Sequence, residues 1–205
     1  MRAEVGDADG ILEVVHAGGA EAEIVIWNSD GSVAELSGNG TRIVAKWLAE
    51  RTGAAEVRIR VGPREVVARM LPDGFVEQAL GAFEVYEAER IAGLKVVAVS
   101  VGNPHAVVVG DPDDILLIGP LLETHPRFRD RTNVQVARVD APGRVTARVW
   151  ERGVGETLSS GTSAVAVAAA THGEGKVAVV FPGGVLHVRL EDGRAWLTGP
   201  AERVE

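Results

Sequence analysis

Two short stretches of the chain put serine, glycine and small polar residues directly ahead of a helix-forming run: Leu36-Ser37-Gly38-Asn39-Gly40-Thr41 and Ser159-Ser160-Gly161-Thr162-Ser163-Ala164. A helix entered in this way presents unpaired backbone N–H groups, and its dipole adds positive potential, so either start favours an anion such as a carboxylate. Gly38 and Gly161 let a ligand come close to the backbone. Each serine would point at that ligand; the commoner role of serine at such a place is N-capping, which spacing alone favours. In both stretches a strand ends in tryptophan and a polar residue, Trp27-Asn28 and Trp150-Glu151, nine positions ahead of the serine (28 to 37 and 151 to 160). A strand–turn–helix unit present twice reads as an internal duplication. Two such helix ends facing one cleft could hold a carboxylate between them.

Three further segments carry groups suited to chemistry. Glu151-Arg152-Gly153-Val154-Gly155-Glu156-Thr157 follows an apolar strand directly. There Glu151 could act as a base or orient one, and Arg152 could pair with a substrate carboxylate through two parallel hydrogen bonds. The bland alternative is a polar loop with a surface ion pair. In Val101-Gly102-Asn103-Pro104-His105, the residue before proline is pushed into an extended conformation, so Asn103 and His105 project from the end of a strand. A histidine there could be a general acid or base, although a lone histidine in a strand is more often packed and hydrogen-bonded. Arg131-Thr132-Asn133 opens another strand, and the Asn133 amide is either a ligand donor or a turn former.

The balance of the chain narrows the rest. Its 205 residues suit one or two small domains, and 46% hydrophobic with 24% charged residues is the mix of an ordinary globular protein. The net charge is −8 with arginines scattered among acids, which argues against a nucleic-acid face. There is no cysteine, so disulfides, thiolate–metal sites and thiol nucleophiles are excluded. The five histidines stand far apart, and no metal is implied. Apolar runs such as Val177–Phe181 are far shorter than the roughly 20 residues of a membrane span. No basic start leads into an apolar core, so the cytoplasm is the default location.

The elements that must hold these groups are mostly short strands. Val57, Ile59 and Val61 alternate with Arg58 and Arg60, and Glu65–Met70 joins Phe75–Leu80 through the turn Pro72-Asp73-Gly74. Strands are also expected over Lys95–Val101, His105–Val109, Asn133–Val139, Arg144–Trp150, Lys176–Phe181, Val185–Leu190 and Ala195–Thr198. Helical spacing predicts a first helix over Asn39–Thr52, ended by Gly53. A second is expected over Asp113–His125, broken or kinked at Gly119-Pro120. The third, Thr162–Thr171, is nearly all alanine and valine, and a helix apolar on every side is buried on every side.

Taken together, these segments resemble the diaminopimelate epimerase family. The matching stretches are Asn28-Ser-Asp-Gly-Ser32 with Ser37-Gly-Asn-Gly-Thr-Arg42, Gly102-Asn-Pro-His105, Gly119-Pro-Leu-Leu122 with His125-Pro126, Arg131-Thr-Asn-Val134, and Glu151–Thr157 with Ser160-Gly-Thr162. Each is modest alone; as an ordered set they are specific. The resemblance implies an α+β fold of two pseudo-symmetric lobes, each an antiparallel sheet around a central helix. The lobes would be residues 1–92 and 93–192, with 193–205 returning to the first. It implies interconversion of LL- and meso-diaminopimelate, a step toward lysine and peptidoglycan. No cofactor takes part: one thiolate removes the α-proton and a thiol on the opposite face returns one. The partner is a small amino-acid substrate, with no nucleic acid or membrane, and the family often forms homodimers.

Carried over residue by residue, Ser37 and Ser160 occupy the two thiol positions. His105 and Glu151 match the groups that support proton transfer. Asn28, Asn103, Asn133 and Arg152 match substrate contacts, and Gly38, Asn39, Gly161 and Thr162 match the cradle at the helix starts. Two departures matter. A cysteine titrates near ~8.5 and an alcohol near water's value of roughly 15.7, so the alkoxide costs about 10 kcal/mol more to form. Only Met1–Ala8 precede the stretch matching Asp9–Leu12, so the first lobe is expected to lack a strand and one ligand contact. Two other readings compete: a related isomerase or dehydratase of the same fold with Glu151 or His105 as base, and a non-catalytic amino-acid-binding protein.

Overall fold

The computed structural model describes residues 10–28 and 31–202. The expectations for the start of the chain, Met1–Asp9, and for the Ser29-Asp30 part of the first motif lie outside the described residues. Packing divides the chain into two units. The first runs to Ala79 and takes up the chain again from Thr198; the second is Leu80–Leu197.

In the first unit the strands are β1 (Gly10–Gly18), β2 (Glu21–Asn28), β3 (Glu56–Val61), β4 (Arg64–Met70) and β5 (Val76–Ala82), side by side in that order. The alternation read from the sequence is realised in β3, where Val57, Ile59 and Val61 are buried while Glu56, Arg58 and Arg60 are exposed. β2 and β3 run parallel, Glu21 opposite Arg58 through Ile24 opposite Val61. Between them lies α1 (Gly38–Thr52), which buries Val44, Ala45, Leu48 and Ala49 and ends where Gly53 turns left-handed, its N–H donating to Ala49 O.

The second unit contains β6 (Glu84–Val85), β7 (Glu89–Ile91), β8 (Leu94–Ser100), β9 (Pro104–Val109), α2 (Ile115–Glu123), β10 (Asn133–Ala141), β11 (Arg144–Glu151), β12 (Gly155–Thr157), α3 (Gly161–His172), β13 (Gly175–Phe181), β14 (Gly184–Glu191) and β15 (Arg194–Gly199). The strand order is β15-β14-β13-β11-β10-β9-β8-β6, with β12 on β11 and β7 on β8. β9 runs parallel to β10 and β11 parallel to β13; the pairs β6–β8, β7–β8, β8–β9, β10–β11, β11–β12 and β13–β14 are antiparallel. The sheets are thus mixed where uniformly antiparallel ones were expected. Parallel neighbours cannot be joined by a tight turn and need a long crossover. Each described helix supplies one: α1 between β2 and β3, α2 between β9 and β10, α3 between β11 and β13.

α3 is the centre of the second unit. From Gly161 through Ala169 every residue is buried, and the helix packs against β8, β9, β10, β11, β13 and β14. Alanine and valine let strands approach from all sides. α2 lies elsewhere, against β10 and β11. Its Ile118 and Leu122 join Ile91, Val96, Ala106, Val108, Val134 and Trp150 in an apolar cluster. Pro120 does not end it; the helix continues to Glu123. The carbonyl that loses its partner belongs to Leu116, which is exposed, so water can serve it.

Candidate active site

The two Ser-Gly turns have the same backbone form. Ser37 and Ser160 both sit at the N-cap in extended conformation, with φ/ψ of −130/117° and −143/127°. Their hydroxyls differ. Ser37 Oγ accepts from Gly40 N at 3.0 Å and so does cap its helix. Ser160 is buried and makes no side-chain capping bond.

Behind Ser37, the start of α1 is held by residues that the sequence reading did not single out. Gln78, fully buried on β5, donates from Nε2 to Gly38 O at 2.6 Å. The Thr41 hydroxyl lies 2.8 Å from Gln78 Oε1 and 2.9 Å from Ser37 O. Arg42 donates to Pro200 O (2.8 Å), Gly38 O (3.3 Å) and Asn39 Oδ1 (3.0 Å). Burial lowers its pKa to about 10, which leaves it a cation at neutral pH. Gln78 had a legible signal, because it falls in phase with the inward positions Val76 and Leu80 of its strand. A polar residue in a core phase needs a partner. Replacing it with leucine removes the shortest bond to the Gly38 carbonyl and one of the two close partners of the Thr41 hydroxyl, so Gln78→Leu is expected to lose about 1–3 kcal/mol of stability, read as a lower thermal midpoint. Asn28, at the end of β2, closes its own turn: Nδ2 donates to Ser32 Oγ at 2.9 Å.

The other expected residues gather in the second unit. His105, 1% exposed at the start of β9, has both ring nitrogens engaged. Gln135 Nε2 lies 3.0 Å from His105 Nδ1 and 3.0 Å from Ser163 Oγ, and His105 Nε2 lies 2.9 Å from Asn103 Oδ1. With the amide donating to Nδ1, the ring proton sits on Nε2 and points at Asn103. Asn103 Nδ2 then reaches toward Thr162 Oγ1 at 3.4 Å, beside the start of α3. Desolvation is the main reason that the His105 pKa falls to about 3, and the charge of Arg152 adds to it. The imidazole is therefore neutral at physiological pH. Gln135 Oε1 is buried with no partner.

Asn133 ties two loops together. Its Nδ2 donates to Pro104 O at 3.0 Å and its Oδ1 accepts from Arg152 N at 2.9 Å. Glu151 accepts from the Thr157 hydroxyl at 2.5 Å, and Arg152 donates from NH1 to Asp130 O at 3.3 Å. Asn103 thus links His105 to Thr162 at the start of α3, and Asn133 ties the turn of Glu151 and Arg152 to the Asn103–His105 segment. Among the described residues no cluster of His, Asp or Glu is arranged to hold a metal. No described helix is long and apolar enough to cross a membrane.

This fold has solved counterparts. A hydroxyproline epimerase from Agrobacterium vitis with bound trans-4-hydroxy-L-proline superposes with a TM-score of 0.72 at 18% identity, over 93% of this chain and 71% of that one. A phenazine biosynthesis protein of the PhzF family from Bacillus anthracis gives 0.70 at 14% identity, over 96% and 83%. The architecture is therefore the two-lobed one that these solved proteins share. Sequence carries the assignment further. A family model described as diaminopimelate epimerase matches residues 97–204. A diaminopimelate epimerase from a Synechocystis species is 40% identical over 229 residues, covering 96% of this chain and 82% of its own, and one from Desulforudis audaxviator is 39% identical over 232 residues, covering 96% and 82%. The chain belongs to the diaminopimelate epimerase family, a lineage of isomerases.

Proposed function

We propose that the chain binds diaminopimelate and that its site is built for cofactor-independent epimerisation at the α-carbon, with Ser37 and Ser160 standing where the family's two thiols act. The observation that carries this reading is the matched pair of helix starts, the same extended N-cap serine ahead of the same glycine, in a chain of this family. In this reading each start supplies a serine hydroxyl at a position where the family carries a thiol. Arg152 receives a substrate carboxylate, and Asn28, Gly38, Asn39, Asn103, Asn133, Gly161 and Thr162 supply the remaining contacts. Glu151 supports proton transfer. His105 contributes as a neutral ring that fixes the Asn103 amide, since both its nitrogens are engaged and burial keeps it uncharged.

Serine at both positions favours binding with little turnover. The related-fold reading, with His105 as base, is disfavoured by the same burial. We also read the protein as cytoplasmic and able to dimerise; β1, paired along β2 and exposing Val14 and Val15, would suit such pairing. The test is incubation of the native chain with LL-diaminopimelate in D2O, with affinity measured by calorimetry and loss of the α-proton signal by NMR. Saturable binding with slow or absent exchange is expected. No binding of either isomer overturns the assignment.

A further inference from the structure

The turn that carries Arg152 is held by a carboxylate from the end of α2. Glu123 ends α2 and is 8% exposed. A carboxylate buried to that degree must be hydrogen-bonded, and each of its oxygens is. Oε2 accepts from Trp150 Nε1 at 2.7 Å. Oε1 accepts from Gly153 N at 2.8 Å and from Arg131 NH1 at 3.2 Å. The donors come from three places: the end of β11, the turn after it, and the loop that leads into Asn133. Two consecutive amides of the turn thus have fixed acceptors, Arg152 N on Asn133 Oδ1 and Gly153 N on Glu123 Oε1. Gly153 has a φ of +78°, a shape the turn does not hold by side-chain preference, and Val154 N closes it onto Glu151 O at 3.1 Å.

The acceptor itself is well anchored. A Cβ at Gly119 would lie 2.6 Å from Trp150 Cγ, so the indole rests directly on the backbone of α2. That contact needs glycine, and it sets the indole N–H against the carboxylate one helical turn further on. The chain Gly119–Trp150–Glu123–Gly153 therefore converts the packing of α2 into the placement of a turn.

We propose that Glu123 is a positioning residue for substrate recognition: its carboxylate clamps the Glu151–Val154 turn and so fixes where Arg152 meets a substrate carboxylate. This rests on the functional reading above, in which Arg152 is a substrate contact. Glutamine at 123 keeps the shape but turns one acceptor into a donor. One of the two bonds, to the indole or to Gly153, then becomes a donor–donor contact. Charge-assisted bonds of this kind support roughly ten- to hundredfold effects when they orient a binding group.

The experiment compares the native chain with Glu123→Gln and with Trp150→Phe, which keeps an aromatic ring under Gly119 and deletes one donor. Three readouts are taken: thermal midpoint, calorimetric affinity for meso-diaminopimelate, and amide hydrogen exchange of Gly153 and Val154 without ligand. The expected result for Glu123→Gln is faster exchange confined to the turn and affinity weaker by roughly tenfold, with a smaller loss in Trp150→Phe. A purely structural role would lower the midpoint and leave the affinity of the folded fraction unchanged; that outcome overturns the proposal. If the native chain binds no diaminopimelate, the functional reading fails, and exchange at Gly153 judges the clamp alone: unchanged exchange in Glu123→Gln overturns it. Should Glu123→Gln fail to fold, Trp150→Phe decides by the same readouts.

Discussion

With Ser37 and Ser160 both changed to cysteine, the chain is expected to exchange the α-proton of LL-diaminopimelate about seven orders of magnitude faster than the native protein. The magnitude follows from the proton affinity of the base. A serine hydroxyl near water's value of roughly 15.7 lies about seven pKa units above a thiol near ~8.5, so forming the anionic base costs about 10 kcal/mol more before the α-proton can be removed. Both helix starts favour an anion, but they favour alkoxide and thiolate alike, so the difference survives. Sulfur for oxygen is a near-isosteric change, and binding should be kept. The native chain has no cysteine, so any thiolate signal in a variant belongs to the introduced residue. Each single variant supplies one base and is expected to exchange the proton of one stereoisomer without inverting it. Ser37→Cys also weakens the cap that Gly40 N now makes, whereas Ser160→Cys removes no capping bond. A double variant that binds substrate and remains inert would show that the missing thiols are not what limits the chain.

Stability should fall as the medium is acidified from pH 6.5 to 5, with His105 as the cause. In the unfolded chain a histidine titrates near 6.5, whereas in the fold this one is pushed down to about 3 by burial. The unfolded state therefore takes up a proton in that window that the folded state refuses. Stability is complete above about pH 6.5 and is lost progressively toward pH 3. By pH 5 the loss is about 2 kcal/mol relative to neutrality, before most carboxylates begin to titrate. Denaturant titrations at pH 5, 6 and 7.5 on the native chain and on His105→Gln would isolate it. The variant should be less stable at pH 7.5, because Gln135 and Asn103 lose partners, yet nearly flat over the window. An equally steep variant would assign the pH dependence to other groups.

Much of the fold was legible because local pattern and tertiary demand agreed. The alternation in β3, the wholly apolar α3 and the glycine after α1 each have one physical meaning. The Ser-Gly helix starts were legible for the same reason. The parallel pairings were not: β3 alternates and β10 is buried on both faces where it pairs, yet each has a parallel neighbour, so neither pattern tells which way a neighbour runs. The supports of the site were also hidden. Gln135 lies in a strand whose residues from Asn133 to Ala137 are all buried, so alternation gives it no inward or outward sense. Glu123 reads as the polar end of a helix. Only the indole and the turn amides around it, from residues as distant in sequence as Trp150 and Gly153, show that it faces inward. His105 was visible as a histidine of interest, but its neutrality depends on burial that no neighbour in sequence announces.

The alanine–valine helix α3 has one further consequence, for synthesis. Its cover comes from strands on both sides of it in the chain, β8 to β11 made earlier and β13 and β14 made later. While the ribosome is still adding those last strands, a rod of apolar surface stands half-clothed in a nascent chain already otherwise able to collapse. Closure of the second unit is thus tied to the arrival of its final segments. Contacts of such long sequence separation form slowly. A helix buried on every side in the finished fold is, until those strands arrive, an apolar surface in need of protection from its own kind.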